Sequence, residues 1–159
     1  MPATTTDVDF INPVISSLEE IFETMLNCKI MRVGLMLKEN STALHPVSGI
    51  IGIHGKTAVG TVVLTMTESV AFRAASTLLM AEVAEPNEDV MDAVGELTNM
   101  VAGATKAKLA QYSLAMGLPS VFYGNNCRIH FPANAHPIVI PFQSPWGALA
   151  LEVGFTFMS

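Results

Sequence analysis

A carboxylate and a carboxamide three residues apart, Glu96 and Asn99, stand in the middle of the stretch Asn87 to Gly117. The stretch reads as one long amphipathic helix, because Val90, Val94, Leu97, Val101 and Ala104 recur at spacings of four and three. At about 100° per residue, Asp92, Glu96, Asn99, Gly103 and Lys106 fall on the side opposite that stripe. Glu96 and Asn99 then project one turn apart on an outward face, and Gly95 and Gly103 leave that face low enough for another surface to approach closely. An amide has a donor end and an acceptor end, whereas a carboxylate only accepts, so the pair offers two kinds of polar contact on one face.

Taken alone, E-x-x-N is short and common, and a solvated helix face accounts for it. The neighbours shift the balance. Asparagine competes for backbone hydrogen bonds and is a poor residue in mid-helix, and each glycine weakens a helix by about 1 kcal/mol. Three such breaks on one surface tend to mark a functional site.

Other chemistries lack their residues. There is no G-x-S-x-G elbow, no H-E-x-x-H, and no glycine-rich phosphate loop of either common spacing. His45, His54, His130 and His136 are scattered, so no metal site or cofactor is expected in this chain. Cys28 and Cys127 form no C-x-x-C and read as two buried thiols in a reducing cytoplasm. A net charge of −6 without a Lys/Arg cluster excludes a nucleic-acid partner. Met1 to Asp9 has neither the charged nor the apolar segment of a secretion signal, and no apolar run approaches the roughly 18 residues that span a membrane.

The remaining elements must hold the central helix in place. At 159 residues, half of them hydrophobic and 14% charged, the chain makes one domain with its own core, with residues 1–9 mobile. Asn12 and Pro13 open a first helix as N-cap and first turn; Ile15, Leu18, Ile21, Phe22, Met25 and Leu26 face inward, and it ends near Asn27. Lys29 to Leu37 is strand-like, and Val47–Ile53 and Ala58–Met66 form a hairpin about Gly55 and Lys56. Thr67 caps a second helix over Glu68 to Glu82, with Val70, Ala74, Leu78 and Ala81 inward. After the central helix stops at Gly117 and Pro119, Ser120–Tyr123, Cys127–Phe131, Ile138–Phe142 and Ala148–Phe157 read as strands. Pro137 and Pro141 put the third of these at an edge or irregular position. A helix followed by about three strands thus occurs twice, an αβββ duplication argued from element order. The first helix has no E-x-x-N of its own, so a site of this kind occurs once per chain.

Glu96-Leu97-Thr98-Asn99-Met100-Val101-Ala102-Gly103, running on to Lys106, resembles the signature helix of the CheX/CheC/FliY phosphatases of bacterial chemotaxis. The opening helix, with Leu18, Phe22, Glu23, Thr24 and Met25, is similar to that family's first helix, and a single motif favours the CheX branch. The resemblance implies an α/β (α+β) two-layer sandwich, with long helices packed on a mostly antiparallel sheet. It implies a cytoplasmic homodimer that hydrolyses the phosphoaspartate of a CheY-like response regulator, the regulator supplying Mg²⁺. By the same resemblance Asn99 orients the attacking water and Glu96 pairs with a lysine of the regulator. Asp92, Gly95, Gly103 and Lys106 complete the partner-binding face. Two other readings are a non-catalytic adaptor, akin to the flagellar switch proteins that share this architecture, and a small-molecule sensor with a pocket between sheet and helices.

Overall fold

The computed structural model describes residues 2–157, with side chains from Asp9 onward. Three helices, α1 (Pro2–Leu26), α2 (Glu68–Leu79) and α3 (Glu88–Lys108), pack on an eight-stranded sheet. The strands are β1 (Met31–Arg32), β2 (Met36–Leu37), β3 (Val47–His54), β4 (Ala58–Met66), β5 (Ala115–Met116), β6 (Ser120–Tyr123), β7 (Ile138–Ser144) and β8 (Gly147–Phe157). Every pairing is antiparallel, in the order β1-β7-β8-β4-β3-β5, with β2 also on β7 and β6 also on β3.

The duplication is visible in this order. Each half runs helix, two short strands, then a hairpin of long strands, with α2 inserted between the halves. The long strands β4 and β8 join at the centre, Ala58 opposite Phe157 through to Met66 opposite Leu149. The short strands are exchanged: β1 and β2 edge the second half's β7, and β5 and β6 edge the first half's β3. Pro141 has no N–H to offer an edge strand. Opposite it the edge breaks at Gly34 between β1 and β2, where Val33 N–H still donates to the Pro141 carbonyl at 2.8 Å.

Three element boundaries depart from the sequence expectation. The first helix does not begin at Asn12 and Pro13; α1 starts at Pro2 and carries Pro13 inside it. Phe10 is fully buried against Tyr112, Phe155 and Phe157, at ring distances of 4.7 to 5.0 Å. That anchor extends the apolar stripe Val14–Leu18–Phe22 back across the proline. The backbone of residues 2–9 is helical as well; Met1 lies outside the described residues. Helix α2 stops at Leu79, because Met80 takes a left-handed conformation at φ 54° and leaves Ala81 exposed. Helix α3 ends at Lys108, not Gly117. Leu109 and Leu114 turn into the core, Ser113 adopts φ 50°, and the chain returns to pair Ala115–Met116 with Ile53–His54.

The segment Cys127–Phe131 is not a strand. Arg128 forms one isolated bridge with Thr42, and Ala43 N–H donates to the Cys127 carbonyl at 2.8 Å. Its apolar residues Cys127, Ile129 and Phe131 cover the sheet face away from the helices, packing with Ala43, Ile50 and Val63. Under this cover the Lys38 ammonium meets Glu152 Oε1 at 2.5 Å, and Leu44 N–H donates to Oε2 at 2.8 Å. Burial and the Glu152 charge both push the Cys127 thiol up, and burial does the same to Cys28, so neither free cysteine is an activated nucleophile.

The contact that sets α3 against the sheet is between Thr98 and Gly49. A Cβ on Gly49 would collide with the Thr98 hydroxyl and stand 2.9 Å from its Cβ, so only glycine lets the helix come this close. Gly49→Ala is expected to destabilise the fold by about 2 kcal/mol through overpacking, read as a lower denaturant midpoint. Thr98→Ala added to it recovers part of the loss.

Candidate functional site

Helix α3 begins where the Asn87 carboxamide accepts a hydrogen bond from Val90 N–H at 3.1 Å, with Glu88 and Asp89 in the first turn. Lys106 and Lys108 occupy its last turn, so both ends carry the charge that the helix macrodipole favours. Val90, Val94, Leu97 and Val101 are buried as their spacing requires; Ala104 is half-buried, and Ala102, Thr98 and Thr105 go deeper. The two threonine hydroxyls donate to the carbonyls of Val94 and Val101 at 2.7 Å each, so neither costs an unpaired buried group.

With Thr98 pinned over Gly49, its neighbours in the tetrad point away from the sheet. Glu96 and Asp92 are exposed and Asn99 is half-buried. They share a cleft of about 460 Å³ with Gly95, Leu118, Pro119 and Val121. No ion pair among the described residues involves either carboxylate. The sequence suggests an open helix face; instead the segment from β5 to β6 forms a second wall. That wall is fixed. Gly117 N–H donates to the Gly52 carbonyl at 2.9 Å, and β6 pairs with Val47–Ile50. The Tyr123 hydroxyl donates to the Glu68 carboxylate; burial, with Glu68 adding to it, pushes the phenol up to about 12.

The structure gathers Asp92, Gly95, Glu96 and Asn99 and separates them from Gly103 and Lys106. These two line an adjacent, more apolar cavity of about 480 Å³ with Ala107, Ala110, Ser113, Leu114 and Met116. The glycines also differ. A Cβ on Gly95 would lie 3.3 Å from Val121 Cγ2, so the room it leaves is filled by the chain's own strand. A Cβ on Gly103 would meet nothing nearer than Met116 Cε at 3.9 Å.

Leu118, Pro119 and Val121 carry little signal in the sequence: Leu118 sits between Gly117 and Pro119, which looks like a helix stop if α3 runs that far. Among the described residues no group of three or more His, Cys, Asp or Glu side chains is placed to hold a metal, and no helix is long and apolar enough to cross a membrane.

The family model for the chemotaxis phosphatase CheX matches residues 47–143, well over half of the chain, and the matched span includes Glu96 and Asn99. The chain belongs to the CheX family. Its fold is shared by a CheC-like superfamily protein from Shewanella sp. PV-4 at 34% identity and a TM-score of 0.85, covering 94% of this chain and 98% of that one. The chemotaxis protein CheX from Vibrio vulnificus is 32% identical with a TM-score of 0.84, over 92% of this chain and 99% of its own. The CheX–CheY–BeF₃–Mg²⁺ complex from Borrelia burgdorferi contains the same fold at 23% identity and a TM-score of 0.73, over 94% and 98% of the two chains. A comparison with curated proteins gives no match.

Within this CheX fold the free space over Gly103 makes a simple expectation. Gly103→Ala should raise stability by about 1 kcal/mol, the ordinary gain from replacing a mid-helix glycine, measured as a higher urea midpoint.

Proposed function

We propose that this chain, in the cytoplasm, hydrolyses the phosphoaspartate of a CheY-like response regulator. The observation that carries the reading is a carboxamide and a carboxylate, Asn99 and Glu96, standing accessible in one cleft on a rigidly seated helix of the CheX family. The Borrelia complex supports the choice of partner, since beryllofluoride is an analogue of a phosphoryl group.

Phosphoryl transfer needs a water in line with the leaving oxygen and stabilisation of charge, and little covalent help from protein. On docking, Asn99 enters the regulator's active site and holds the attacking water by its amide oxygen and nitrogen. Its neutrality matters, because a carboxylate there would repel the phosphoryl oxygens. Glu96 pairs with the regulator's active-site lysine and fixes the approach, with Asp92 beside it on the same wall. Lys106 and Gly103, one cavity further along the helix, meet the regulator away from the reacting atoms. Mg²⁺ comes with the regulator, where it offsets charge on the phosphoryl group; this chain contributes the water-positioning half of the site.

Asn99→Ala is expected to slow dephosphorylation by at least about 100-fold, roughly 3 kcal/mol of barrier, while the phosphorylated regulator still binds. Glu96→Ala should weaken binding about tenfold, as expected when a desolvated charge pair loses one member. Loss of regulator phosphate in the presence of Mg²⁺ and binding to the beryllofluoride form measure the two effects. Asn99→Ala with the parent's rate removes the mechanism. A parent that binds the regulator without accelerating phosphate loss is the adaptor.

The same reading includes a homodimer. Met31, Val33, Leu35, Met36 and Leu37 are each about half exposed or more along the outer edge made by β1 and β2, an unpaired strand edge of the kind that recruits another strand. Leu37→Lys is expected to shift the protein from dimer to monomer in sedimentation without lowering its melting temperature below that of a monomeric form.

A further inference from the structure

We infer that Leu118 is the apolar anchor that holds a phosphorylated receiver domain over the cleft, setting affinity for the regulator without touching the reacting atoms. The inference rests on the regulator-phosphatase reading above and extends it to a residue outside the E-x-x-N helix.

Leu118 is 90% exposed, among the most exposed large apolar side chains of the chain, and it lines the same cleft as Glu96 and Asn99. A single exposed leucine is ordinary; this one is exposed on a rigid mount. The Gly117 N–H to Gly52 carbonyl bond holds the residue before it, Pro119 fixes the backbone after it, and β5 and β6 pair with the two ends of β3 on either side. An apolar group that is already ordered loses little freedom on being covered, which is what makes a good interface anchor.

The charges of the cleft say why an anchor is needed. Its walls carry Asp92 and Glu96 and no cation. A receiver site brings a phosphoryl group and the carboxylates that ligate Mg²⁺, so like charges meet as it docks, and one lysine and one metal ion must answer for all of them. Attraction has to come from beside the charged centre, and Leu118 is the apolar surface at that position. Continuity names the occupant: any partner that reaches Asn99 through this cleft must cover Leu118. A second copy of the chain is disfavoured, because the apolar edge at β1 and β2 lies at the other end of the strand order from β5.

The test uses the full chain and a CheY-type receiver protein, phosphorylated for kinetics and loaded with beryllofluoride and Mg²⁺ for binding. Leu118→Ala should raise Kd and KM about tenfold, the loss usual for truncating an interface anchor, with kcat within about twofold. Leu118→Met, which keeps an apolar side chain of similar volume, should bring both constants back to within about twofold of the parent. Unchanged Kd and KM in Leu118→Ala, beside an active parent, overturn the assignment and leave the phosphatase reading standing. A loss confined to kcat, or a dimer that dissociates on this substitution, overturns it as well. A parent that neither binds nor dephosphorylates the receiver brings down the reading beneath it first, through Asn99 and Glu96.

Discussion

The closeness of α3 to the sheet is the constraint on which the rest of the molecule depends. Gly49 has no side chain, Thr98 occupies the space, and the helix can neither roll nor lift without opening a gap or forcing a collision. Because successive helical residues are turned by about 100°, fixing the bearing of Thr98 fixes those of Glu96 and Asn99. The tetrad is therefore read in two directions at once. Leu97 and Thr98 seat the helix; Glu96 and Asn99 face the cleft.

The second wall of the cleft depends on the exchange of short strands between the two halves. Segment β5–β6 belongs by sequence to the second half but pairs with β3 of the first, and only that crossing brings Leu118, Pro119 and Val121 beside α3. The glycine at position 95 is explained from the same side, since Val121 fills the room it leaves. Of the two glycines on this face of α3, Gly103 is the one with open space over it.

Much of this was legible in the sequence, and what was not has physical reasons. Strands β3, β4, β6 and β8 follow their apolar patterns to within a residue or two, and the caps at Thr67 and Asn87 are where short polar side chains would put them. The Glu96/Asn99 face emerged because it breaks local rules, which a residue can do visibly in a single sequence. Long-range effects were illegible. The reach of α1 past Pro13 is bought by aromatic contacts with residues some hundred or more positions away, at Tyr112, Phe155 and Phe157. Cys127–Phe131 alternates like a strand because it too has one face on an apolar surface, yet it lies over the sheet instead of joining it. The setting of Leu118 is not legible because it depends on where α3 ends, and that end is decided by the burial of Leu109 and Leu114.

The exchanged strands also bear on how such a molecule comes into being. A nascent chain that has made everything up to Met66 holds a hairpin whose outer neighbour, β6, is still some fifty residues away, while β1 and β2 wait longer still for β7. Neither half can close its own sheet, so the outer strands of each find partners only once the other half has been made.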